Sequence, residues 1–180
     1  MDVRSRRQAG LTALILGVFA TIWFSVPAAE EPLRTLLVVA SGAALLTALA
    51  GAAVVLRAGR AAAALPQDRR ADRRYAIIVA AEFAAAALGA ALLSAAGQGE
   101  YVPVLICAVV GVHFVPLAPV LRDRLLVPLA AAMCLVALAG LVVALASSTP
   151  AALVVGTGAG LVLWGYALLA LLRLARPVDR

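Results

Sequence analysis

Apolar residues in this chain collect in six long runs, and charged or turn-forming residues collect in the short segments between them. The runs cover residues 10–26, 33–56, 75–96, 102–121, 125–146 and 150–172, each 17 to 24 residues long. A helix rises 1.5 Å per residue, so about 20 residues cross the hydrocarbon of a bilayer. Inside lipid every backbone polar group must find its partner within the protein, which leaves helices or a closed barrel. None of the runs alternates with the period of two that barrel strands require. The pattern therefore predicts an all-α, polytopic transmembrane six-helix bundle. No domain boundary interrupts it, so residues 1–180 read as one transmembrane domain.

Composition strengthens this reading. Hydrophobic residues make up 65% of the chain and charged residues 13%, and the mean hydropathy is +1.07. A soluble domain has about 45–50% apolar and about 25% charged residues. The net charge of +6 does not point to nucleic acid, because the basic residues form no face carrying aromatic or polar base readers. All fifteen are arginine, and they sit between the apolar runs, where they signal topology and meet anionic lipid headgroups. Arginine without lysine beside abundant alanine also suggests a GC-rich bacterial genome.

Arginine placement sets the expected orientation. Arg4, Arg6 and Arg7 precede the first run, and Arg57, Arg60, Arg69, Arg70, Arg73 and Arg74 fill the second loop. Arg122 and Arg124 lie in the fourth loop, and Arg173, Arg176 and Arg180 in the tail. These alternate segments hold 14 of the 15 arginines, Arg34 being the exception. The opposite loops carry Glu30, Glu31, Glu100 and an uncharged SSTP turn. The positive-inside rule then puts both termini in the cytoplasm of a bacterial inner membrane. Trp23 and Tyr101 fall near the outer boundary, Tyr75 and Tyr166 near the inner one. The start of the chain also resembles a secretory signal, with small residues for cleavage after Ala28 or Ala29. Its apolar run is long for a signal core and ends in the bulky TIWFSV, so it is expected to be kept as the first span. The loop at 57–74 is expected to lie among headgroups as a short helix or a loop broken at Pro66.

Two ionisable side chains fall well within the spans, Glu82 in the third and His113 in the fourth. A charged group at mid-bilayer costs about 2.5–3.5 kcal/mol on insertion scales, so such residues face the protein interior and find partners. Glu82 lies eight residues after Arg74, and His113 nine before Arg122. On adjacent antiparallel helices this sets them about 12 and 13.5 Å above the cytoplasmic arginines, at nearly one depth. Ala85, Ala86 and Gly89 follow Glu82 along its face and let a partner helix approach. Trp164 lies nine residues before Arg173, at the same depth, above the glycine pair Gly156 and Gly160. Its buried indole N–H seeks an acceptor, and Glu82 would serve; the alternative is that Trp164 simply fills core volume. The pair reads either as a clasp fixing helix register or as a proton or ligand locus.

His113 is followed by Pro116 and Pro119, which cannot donate to the carbonyls of Val112 and Val115. A kink there would join Glu82, His113 and Trp164 in one polar locus; a plain structural kink is the alternative. Cys107 and Cys134 read as small buried hydrophobes. One histidine excludes a multi-histidine metal site, and no metal or cofactor is expected. No phosphate-binding loop, nucleophile elbow or HExxH motif is present.

The stretch His113, Phe114, Pro116, Leu117, Ala118 resembles a His-Phe-x-Pro-Leu-Ala segment of small multi-pass membrane proteins of actinobacteria. The resemblance implies membrane location and carries no activity. Three classes of function remain: proton-linked transport or permeation through the Glu82–His113 locus, a non-catalytic scaffold or partner subunit, and a lipid-modifying enzyme using the two side chains as acid and base. The enzyme reading is the weakest, because such enzymes carry more polar residues at one interface. The small-residue faces also permit a homo-oligomer.

Overall fold

The computed structural model describes residues 3–62, 69–121 and 123–175. Among these the chain is all-α, with α1 at Val3–Phe24, α2 at Leu33–Ala62, α3 at Arg69–Ala95, α4 at Val102–Leu121, α5 at Leu126–Ala146 and α6 at Ala151–Ala175. A single 3-10 turn at Gly99–Tyr101 precedes α4. All six helices are long and apolar enough to cross a membrane, and no strand occurs among the described residues. This is a polytopic membrane protein. Most of the exposed large apolar side chains are aliphatic, among them Leu36, Leu46, Leu49 and Leu56 on α2, as suits a lipid-facing surface.

The loop expected at 57–74 differs from expectation in a simple way. Its flanking arginine and alanine residues are good helix formers, and the spans continue into it. Helix α2 runs on to Ala62, and α3 starts at Arg69. Pro66 lies outside the described residues, as do Arg122, Arg176 and Arg180.

The helices group into two compact units, which cut α6 between Ala159 and Gly160. In the first unit α1 and α2 run antiparallel over a seam of small residues. A Cβ at Gly51 would lie 2.6 Å from the Leu14 nitrogen and 2.7 Å from the Gly10 carbonyl oxygen. One at Gly17 would meet the Ala48 nitrogen at 2.9 Å and the Ala44 carbonyl at 3.0 Å. With little hydrophobic gain available between helices in lipid, close backbone approach supplies the attraction. Hydroxyl groups add to it: Ser41 donates to the Thr21 carbonyl at 3.2 Å, and Thr21 lies 3.4 Å from the Ser41 carbonyl.

In the second unit α3, α4 and α5 form successive antiparallel hairpins. Helix α3 stops because Gly97 takes φ 71°, a conformation glycine adopts without steric cost. Gln98 N–H then reaches back to the Leu93 carbonyl at 2.8 Å, and Gly97 N–H to Ser94 at 3.1 Å. That double closure is the Schellman end of a helix, and it folds α4 back onto α3. At the next turn the Asp123 carboxylate accepts the Leu125 N–H at 3.0 Å. Between α4 and α5, a Cβ at Gly111 would lie 2.8 Å from Cys134 Sγ. Leu129, Met133 and Cys107 are fully buried there, with the Cys107 thiol 3.4 Å from the Met133 carbonyl.

Candidate functional site

The tight turn at Gly97 makes α3 and α4 neighbours, and two contacts mark their seam. Near the turn Gly89 faces Leu105, whose side chain occupies the space a Cβ would need. Two helical turns further from it, Glu82 Oε2 stands 3.1 Å from His113 Nδ1. Both side chains are shielded, with 9% of His113 and 16% of Glu82 exposed. The contact has an unusual geometry. His113 Nδ1 is buried yet has no aligned hydrogen-bond partner, so the carboxylate oxygen lies close to the ring nitrogen but off its N–H direction. The structure thus sets a carboxyl and an imidazole side by side without an aligned hydrogen bond between them.

Helix α4 continues without a break through Pro116 and Pro119. Both prolines are exposed. The carbonyls of Val112 and Val115 lose their usual donors there, one on each side of His113. Phe114 covers the other flank, its ring 5.7 Å from the imidazole and edge-on to it.

Trp164 does not join this pair. Its Nε1–H donates to Thr47 Oγ1 at 3.0 Å, and an indole has one proton to give. The expected acceptor, Glu82, is therefore replaced by a hydroxyl on α2. Thr47 is buried and passes its own proton to the Ala43 carbonyl at 2.9 Å. The result is a short relay of donors fixing α6 to α2 within the first unit, whereas Glu82 and His113 belong to the second. Thr47 carries little signal in sequence, because a hydroxyl in a helix usually bonds to its own backbone.

The glycine face below Trp164 also has a defined neighbour. A Cβ at Gly160 would fall 2.6 Å from the Phe24 ring, which packs edge-on against Trp164 with centroids 6.4 Å apart. Gly156 is buried. Gly160→Leu is expected to drive Phe24 from its place and lower the unfolding temperature in detergent. An unchanged temperature would show that the ring moves aside freely.

Among the described residues no three His, Cys, Asp or Glu side chains converge on a possible metal position. Cys134 stands beside Gly111, and it adds no third ligand to the Glu82–His113 pair. No known protein family, curated protein or solved structure matches this chain.

Proposed function

We propose that this membrane protein is a small transport or permeation protein in which the Glu82–His113 pair holds an exchangeable proton. The observation that carries this reading is the 3.1 Å approach of a carboxylate to an imidazole between two apolar spans. Ionisable residues in such places are expensive and mark ion pathways or proton relays in membrane proteins. A pair this close titrates as a unit, in two steps that belong to neither residue alone. Between those two steps the pair holds one proton that it can give to or take from water. In purified protein reconstituted into liposomes with a pH-sensitive dye, an imposed gradient should collapse faster than in empty vesicles. Glu82→Gln and His113→Phe should each return the rate to the empty-vesicle value. Equal rates with and without protein would overturn the reading.

The arginine distribution supports a location in a bacterial inner membrane with both termini in the cytoplasm. Arg6, Arg7, Arg57, Arg73, Arg74, Arg124 and Arg173 are all exposed, available to anionic headgroups. In intact cells a membrane-impermeant thiol reagent should label Ser148→Cys and leave Ala63→Cys unlabelled until the membrane is opened, both in a variant lacking Cys107 and Cys134. The reverse pattern would invert the topology.

A further inference from the structure

Helix α3 differs from the other five in how little of it is enclosed. None of the membrane-spanning stretch of α3 is buried, against 22–39% in the other five helices. Ile77, Phe83, Leu88 and Leu92 all face outward. Its seam with α4 includes Gly89 against Leu105 and Glu82 against His113. The second of these has no aligned hydrogen bond to hold it.

We infer that the α3–α4 seam is a proton-controlled gate, shut while Glu82 and His113 compensate one another and opened to water when one of them is charged alone. The inference shares its pair of residues with the proposed function and adds how access to that pair is regulated. An uncompensated charge among apolar side chains must be hydrated or paired. Acid protonates Glu82 and leaves an imidazolium alone; alkali removes the histidine proton and leaves a carboxylate alone. In either case hydration requires α3 to move, and α3 is the helix with the least buried surface to give up. At intermediate pH the pair is either doubly charged or neutral, and the seam stays shut.

Other titratable groups near the seam are few. Cys107 lies on α4, and Cys134 on α5 stands beside Gly111. Glu100 and Tyr101 occupy the turn before α4, at the far end of the hairpin. No arginine lies between Arg74 and Arg122.

The test places spin labels at Phe83→Cys and Val112→Cys, both exposed at the depth of the pair, with Cys107 and Cys134 replaced by alanine. Distances are measured in nanodiscs from pH 4 to pH 10. The otherwise unaltered protein should show one narrow distance near neutrality and a longer, broader one at both extremes. Glu82→Gln should open only on the acid side, His113→Phe only on the alkaline side, and the double variant on neither. Hydrogen exchange of α3 amides in the unlabelled protein, corrected for intrinsic rates, should follow the same four profiles and guards against a labelling artefact. Profiles without pH dependence, or identical in all four proteins, would overturn the gate. A gate that opens in vesicles showing no proton flux would sink the transport reading and leave the gate standing. Flux through a seam that never opens would do the opposite.

Discussion

Gly51→Ala should loosen α1 from α2 and lower stability by about 1–3 kcal/mol or more, the usual range for overpacking. The added methyl would meet backbone, at 2.6 Å from the Leu14 nitrogen and 2.7 Å from the Gly10 carbonyl, and backbone in the middle of a helix cannot step aside as a side chain can. Gly42→Ala on the same helix supplies the comparison. Nothing lies within 4 Å of its added Cβ, and alanine in a helix interior is favoured over glycine by about 0.5–1 kcal/mol. Thermal unfolding in one detergent should therefore move in opposite directions for the two variants. Equal shifts would mean that helix propensity, and not the seam, governs this region.

The second large effect concerns the buried pair. Glu82→Gln and His113→Phe should each destabilise the protein at neutral pH, and the double variant should lose less than the sum of the two. Removing one partner leaves the other in an apolar setting with its hydration unreplaced, whereas removing both leaves no such group. The coupling recovered in a double-mutant cycle should be about 1–3 kcal/mol, as for residues in contact. It should shrink toward both ends of the pH range, where the titrating partner no longer compensates the other. Strict additivity at every pH would show that the 3.1 Å contact carries no energy.

Much of this architecture is readable along the chain because lipid imposes a length. Six runs of the right size become six helices, and positions counted from the arginines become depths. Glu82 and His113 are legible as neighbours for that reason, with a short turn between their helices and eight or nine residues from each to its nearest loop arginine. Depth says nothing about azimuth, however, and there the reading of Trp164 went astray. Its acceptor depends on which face of a distant helix turns toward it, and Thr47 lies 117 residues away in sequence. The α1–α2 seam was missed for a different reason. Gly10 and Gly17 are seven apart and Gly51 stands alone on its face, so no four-residue glycine spacing advertises a contact that two alanine-rich helices build jointly. The ends of α2 and α3 extend into the arginine loop because helix propensity carries on where hydropathy stops.

The split of α6 has a consequence for the order in which the protein can be made. The α1–α2 hairpin has all its own contacts once Ala62 has been synthesised, and it can insert and close as a unit. Yet Thr47 and Phe24 must wait for Trp164 and Gly160. During that interval three more helices enter the bilayer, and the sites on Thr47 and Phe24 that α6 will fill stand against lipid. Helix α6, made three helices later, is thus the one that completes the first pair to fold. A nascent chain halted after α5 would hold a formed hairpin whose contacts to Trp164 and Gly160 are still unmade.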